Sequence, residues 1–193
     1  MDADRNDHLE LAVLAASGNR VARQALVQRV GPRVRVIAVA ILGNRADAED
    51  AIQATWVEIL TSISTYRGES LTAWADRIAA RTAMRHARQR RLRATRAAPE
   101  SDLEILQTGT PTPSFSEHDI PRPLLDYLAA LAEPRRVVLV LRHVLGYSIA
   151  EISEVTEVPI NTVKDRLLHA RAQLRRAIRR DLAMVRVYGG REA

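Results

Sequence analysis

The chain has 193 residues, 47% of them hydrophobic and 27% charged, with 29 Lys+Arg against 23 Asp+Glu, a formal charge of +6 and no cysteine. That length and apolar content allow one ordinary domain or two small ones and exclude disorder throughout. The missing cysteine excludes a disulfide framework, a thiolate nucleophile and a Cys-based zinc site, and fits a reducing cytosol.

The opening "MDADRNDHLELAV" carries acids where a secretory signal needs a basic and then an apolar stretch. Runs such as "VIAVAIL" are far below the ~20 residues that span a bilayer. A cytoplasmic protein with no membrane insertion is expected. From about residue 7 to 93, Ala, Leu, Arg and Glu recur at helical spacing, with Gly18, Gly31-Pro32, Gly43-Asn44 and Gly68 as the expected breaks, which predicts a bundle of about four helices.

Within that bundle "DAEDAIQATW" sets Asp47, Glu49 and Asp50 close together, beside Gln53 and Trp56. The plain reading is an acidic first turn with Asp47 as N-cap and Asp50 three residues on. Further on, Arg77, Arg81, Arg85 and Arg88 fall within an arc of about 80° on one helix, while Leu71, Ala75, Ile78 and Thr82 take the adjacent arc. Such a helix packs by one side and offers a cationic ridge on the other. Before it, "TYRGESLTAW" places Tyr66, Arg67, Ser70 and Trp74 together. The two rings are either platforms for extruded bases or ordinary core residues.

Residues 94–120 lose the helical pattern: Pro99, Pro111, Pro113 and Pro121 stand in or beside Ser, Thr and Gly, which marks a linker. Eight arginines and no acid lie between 77 and 96, whereas from 97 to 133 Glu100, Asp102, Glu104, Glu117, Asp119, Asp126 and Glu133 face only Arg122. Periodicity then returns. "VVLVL" could be a short strand, yet Pro134 as a first helical residue and Gly146 as a stop frame it as a buried helix.

"YSIAEISEVTEVPINTVKDRLLHARAQLRRAI" has the pattern of a helix-turn-helix. Ile149, Ile152 and Val155 line a short helix, Val158 and Ile160 fill the turn, and Val163, Leu167, Ala170, Leu174 and Ile178 form the packing stripe of a longer second helix. Asn161, Thr162, Lys164, Asp165, Arg166 and His169 are left outward on the half that enters a major groove in such modules. Arg166 could fork onto a guanine edge; Lys164, Arg171, Arg175 and Arg176 could neutralise phosphates. The alternative is an amphipathic surface helix whose polar side is merely solvated. Ser153 and Glu157 stand where such sequences often carry Ala and Gly, so a turn of different shape is expected.

Lys164 is the only lysine, so the positive charge is almost wholly arginine, whose planar fork suits phosphates and base edges. Arg replacing Lys through GC-rich codons is the plainer reading, and placement has to decide between them. His8, His86, His118, His143 and His169 are scattered, and no paired-carboxylate, His-metal or Gly-rich phosphate motif is visible. No catalytic residue, metal or cofactor is expected.

The order "GNRADAEDAIQATWVEIL", "STYRGESLTAWADRIAARTAMRHARQRR", an acidic linker, then "LAALAEPRRVVLVLRHVLGYSIAEISEVTEVPINTVKDRLLHARAQLRRAI" resembles the extracytoplasmic-function (group IV) sigma factors of bacterial RNA polymerase over about residues 20 to 180. The resemblance implies an all-α chain in two domains: a helical bundle of sigma region 2 type at 1–93, a flexible linker at 94–120, and a helix-turn-helix domain of region 4 type at 121–193.

It also implies that Asp47, Glu49, Asp50, Gln53 and Trp56 dock on the clamp helices of the largest polymerase subunit. Tyr66, Arg67, Ser70, Trp74, Arg77, Arg81, Arg85 and Arg88 would melt and read the minus-ten element. Asn161, Thr162, Lys164, Asp165, Arg166, His169 and Arg171 would read the minus-thirty-five element, with the polymerase flap as a further partner of that domain. An anti-sigma factor is a further implied partner. Family members often show Asn at the position of Thr82, and a Leu-Pro step where "LAEPRR" stands. A stand-alone helix-turn-helix regulator with a helical effector domain is the competing reading.

Overall fold

The computed structural model describes residues 2–68, 70–95 and 120–188, all of them in helices, turns or short connections. The expected acidic linker lies largely outside the described residues. The chain divides into two compact units, Met1–Arg91 and Leu92–Ala193.

The first unit holds α1 (Asp2–Ala16), α2 (Arg20–Leu42), α3 (Arg45–Ser62), a 3-10 turn (Ile63–Thr65) and α4 (Leu71–Thr95), whose last residues run past the unit's boundary. Three of the expected breaks are real. Gly18, Gly43 and Gly68 all have positive φ, a region where a side chain is penalised and glycine is not. Asn19 then caps α2 by accepting from the Val21 and Ala22 amides at 2.9 and 3.1 Å.

The fourth expected break, Gly31-Pro32, does not occur: α2 runs for 23 residues with Pro32 inside it. Proline and glycine cost a helix interior about 3 and 1 kcal/mol. Leu26, Val30, Val34, Ile37 and Ile41, at most 1% exposed, lie on both sides of the pair. At about 1.5–3 kcal/mol for each large apolar side chain buried, that stripe outweighs the local cost. The missing side chain at Gly31 has a use: an added Cβ would meet Trp56 Cζ2 at 3.4 Å. Ala48, Ala51, Ile52, Thr55 and Ile59 of α3 and Leu71, Ala75, Ile78, Thr82 and Ala83 of α4 are likewise buried.

The second unit contains α5 (Leu124–Ala129), α6 (Glu133–His143), α7 (Ile149–Thr156) and α8 (Ile160–Tyr188). "VVLVL" is helical, with Val137 to Leu141 all buried in α6 and Pro134 in its first turn. Arg136 is charged yet only 4% exposed; its guanidinium donates to the Leu131 and Ala129 carbonyls at 2.8 and 3.3 Å, the second being that of the last residue of α5. A cation placed on open helix-end carbonyls offsets its own desolvation. Tyr127 ties α5 to α8 by donating its hydroxyl to Asp181 at 3.0 Å, while Arg122 lies over its ring at 4.5 Å.

Candidate nucleic-acid interfaces

In the first unit the ridge forms as its spacing requires: Arg77, Arg81, Arg85 and Arg88 are all exposed along α4. Arg81 and Arg85 are engaged from the neighbouring helix. Glu58 of α3 accepts from Arg85 Nη2 at 3.1 Å and from the fully buried Thr82 hydroxyl at 3.0 Å, and its other oxygen lies 4.0 Å from Arg81. Sequence reasoning passed over Glu58 because the contact spans two helices. Asp76, 6% exposed on α4, is likewise held from another helix, by the Nε and Nη2 edge of the Arg33 guanidinium.

The loop ahead of α4 departs from the stacking role. Tyr66 and Trp74 are 5% and 8% exposed, packed edge-to-face with centroids 5.7 Å apart. Their faces are spent on each other and on the core, so neither is offered to a base in this conformation. Ser70 immediately precedes α4, its hydroxyl accepting from the Ala73 amide at 3.3 Å. Arg67 is exposed and donates to the Ser64 carbonyl at 3.2 Å.

The acidic segment is redistributed as well. Asn44, not Asp47, is the N-cap of α3, accepting from the Asp47 amide at 2.8 Å. Asn44 can cap because it is in extended backbone one residue before the helix begins, whereas Asp47 is already helical. The Asp47 carboxylate accepts from the Asn44 side chain at 2.7 Å and from Arg90 of α4. Those bonds and the Arg90 charge hold it below the usual carboxylate range, with burial opposing. Glu49 faces Arg35 at 3.3 Å. Asp50 and Gln53 are exposed, while Trp56 is half-buried beside Gly31.

In the second unit Val163, Leu167 and Ala170 are buried, which turns Asn161, Lys164 and Asp165 to solvent and leaves Thr162, Arg166 and His169 half-buried on α8. Two expected packing residues do not pack: Val155 is 42% and Ile160 46% exposed, Ile152 alone filling the core of α7. The stripe on α7 is short because eight residues make barely two turns. Arg171 is exposed and bonds His143 Nε2 at 3.1 Å, beside a 280 Å³ cavity with Leu128, Leu139 and Leu174 in its wall. Burial, then the Arg171 and Arg142 charges, push the His143 imidazole below its ordinary value.

The turn keeps the ordinary geometry despite its residues. Glu157 sits at φ 56 and ψ 36, the left-handed position usually given to glycine. Ser153 closes the turn: its hydroxyl donates to the Val158 carbonyl at 2.6 Å while its own carbonyl accepts the Val158 amide at 3.2 Å. Among the described residues no group of three His, Cys, Asp or Glu is placed to hold a metal, and no helix is long and apolar enough to cross a membrane.

Two family descriptions match this arrangement in order: Sigma-70 region 2 over residues 26–93 and Sigma-70 region 4 over residues 122–174, together more than half of the chain. The chain is 34% identical to the RNA polymerase sigma factor CarQ of Myxococcus xanthus over 142 residues, 70% of this chain and 76% of CarQ. The chain belongs to the extracytoplasmic-function sigma-factor family of RNA polymerase. It is also 30% identical to the ECF sigma factor SigE of Mycolicibacterium smegmatis over 85% of its own length, and spans 65% of that longer relative. The fold resembles CnrH, solved in complex with the cytosolic domain of CnrY, at a TM-score of 0.50 and 24% identity over 90% of this sigma factor and 97% of that chain.

Proposed function

We propose that this sigma factor joins core RNA polymerase, directs it to specific promoters and assists their opening, acting through binding and with no chemistry of its own. The observation that carries the reading is the pairing of regions 2 and 4 in one chain, each with a polar face turned to solvent. Asp50 and Gln53, with Glu49 and the edge of Trp56, form the surface for the polymerase clamp. Asp47, tied to Asn44 and Arg90, shapes that surface from within.

The exposed arginines of α4 track the non-template strand at the minus-ten element. Asn161, Lys164 and Asp165, with Arg166 behind them, meet the minus-thirty-five element. CnrH is bound by the cytosolic domain of CnrY, and an anti-sigma protein is the corresponding partner here. The stand-alone regulator is not favoured, because it gives regions 2 and 4 no reason to share a chain.

Reconstitution with core polymerase tests the reading. The protein alone is expected to bind duplex promoter DNA weakly and salt-sensitively, and its complex with core to start transcription at defined sites. Asp50→Arg is expected to weaken core binding with helicity unchanged. Tight, site-specific duplex binding by the protein alone, without core association, would overturn the proposal.

A further inference from the structure

We propose that Ser153 is a positioning residue for promoter recognition: its clasp on Val158 holds the turn closed against the left-handed Glu157 and so sets the angle at which α8 is presented. The inference rests on the reading of α8 as the minus-thirty-five helix.

The turn between α7 and α8 is short, with Glu157, Val158 and Pro159 between the two helices. Glu157 donates to the Glu154 carbonyl at 3.3 Å and Val158 to the Ser153 carbonyl at 3.2 Å, the paired closure of a helix end that calls for a residue at positive φ. Glycine takes that conformation freely; glutamate does so at a cost. Val158 precedes Pro159, and α8 begins at Ile160. The Val163 amide bonds the Pro159 carbonyl at 3.1 Å, and proline offers no side-chain cap to the helix. The Val158 carbonyl lies outside α8's ladder, and the Ser153 hydroxyl reaches it at 2.6 Å.

Residue 153 therefore holds both backbone polar groups of residue 158. Alanine at 153 would keep the backbone bond and lose the second. With glutamate at 157 the closed turn is then less favoured against opened ones, and the open fraction presents α8 out of register. With glycine at 157 the closed turn is favoured without the clasp. The two departures noted in the sequence, Ser153 and Glu157, are on this account a compensating pair.

The test uses the full chain and its holoenzyme with Ser153→Ala, Ser153→Thr, Glu157→Gly and the double variant S153A/E157G. The probe is the promoter that wild-type holoenzyme enriches most from a library randomised at the minus-thirty-five element, against the same promoter with that element scrambled. Ser153→Ala is expected to reduce transcription from the selected promoter about five-fold while core affinity and the scrambled template change less than two-fold. Ser153→Thr, which keeps the hydroxyl, restores it; in the Glu157→Gly background the alanine costs less than two-fold.

Hydrogen exchange over residues 157–163 of the full chain is expected to quicken at least three-fold in Ser153→Ala. Unchanged exchange, or an equal loss on both templates, overturns the clasp. Quickened exchange with a wild-type holoenzyme that ignores the minus-thirty-five element upholds the clasp and overturns the reading of α8 as the minus-thirty-five helix instead.

Discussion

The two units prepare their charged faces in opposite ways. On α4 the ridge is already engaged: Glu58 draws Arg81 and Arg85, and Asp47 takes Arg90 beyond it on the same helix. On α8 the polar residues Asn161, Lys164 and Asp165 stand in solvent, and the fold spends its bonds on the turn behind them. A ridge held by carboxylates can meet a phosphate only by exchanging one anion for another, which limits affinity for DNA in isolation. A face left in solvent needs only to be aimed.

The largest effect is expected where the first unit has turned candidate DNA contacts into core. Trp74→Ala should destabilise that unit by about 3–5 kcal/mol, the usual cost of emptying a buried aromatic site, read by chemical denaturation. Trp74→Phe should keep most of that stability by retaining the edge contact with Tyr66. A Trp74→Ala protein with unchanged stability and impaired promoter opening would mean that the ring is held for a base after all.

On the other side of the comparison, Arg166→Ala should cost about 1–3 kcal/mol of promoter discrimination if its fork meets a base edge, measured as transcription from templates with single substitutions in the minus-thirty-five element. A uniform loss over all templates would make Arg166 a phosphate contact, and α8 would then resemble α4 more closely.

What the sequence made legible follows from the range of the interactions. The ridge on α4, the helical state of "VVLVL" and the buried stripe of α8 depend on spacing within one helix, and periodicity reads them directly. Glu58 with Arg85, and Asp76 with Arg33, join residues 27 and 43 positions apart, and no local pattern encodes them. Capping at Asn44 is a local interaction, but Asp47, three residues on, offers the same side-chain chemistry, and only the extended backbone at Asn44 separates the two. Ser153 and Glu157 were visible as departures; that the first answers the second needed the distance between residues 153 and 158. The continuous α2 shows propensity overruled by burial, since Gly31-Pro32 reads as a break until Val30 and Val34 are seen packed on both sides.

Glu58→Gln sharpens the comparison at smaller scale. It keeps an acceptor for Thr82 but removes the charge that draws Arg81 and Arg85, whose side chains are more than half or half exposed. Such pairs contribute about 0.2–1 kcal/mol, so stability should fall by about 0.5 kcal/mol. Binding of a single-stranded minus-ten oligonucleotide to the holoenzyme should tighten, with a steeper salt dependence as the released arginines displace counterions. Glu10→Gln, an equal change of charge at an exposed position on α1, is the control; an identical gain there would show that net charge alone is at work.

The smallest effect concerns the hold on Arg171. His143 accepts from Arg171 only as the neutral imidazole, and its burial and the adjacent Arg171 and Arg142 lower its affinity for a proton in the fold. A group whose folded pKa is depressed contributes its full stability above the unfolded value, about 6.5 for histidine, and loses it as the pH falls through that value towards the folded one. The second unit should thus weaken slightly between pH 7.5 and 5.5, by a few tenths of a kcal/mol after allowance for the exposure of the ring. His143→Gln should flatten that slope, because the amide oxygen accepts from Arg171 without titrating. Parallel melting curves for the two proteins across that range would show that Arg171 is steadied by something other than His143.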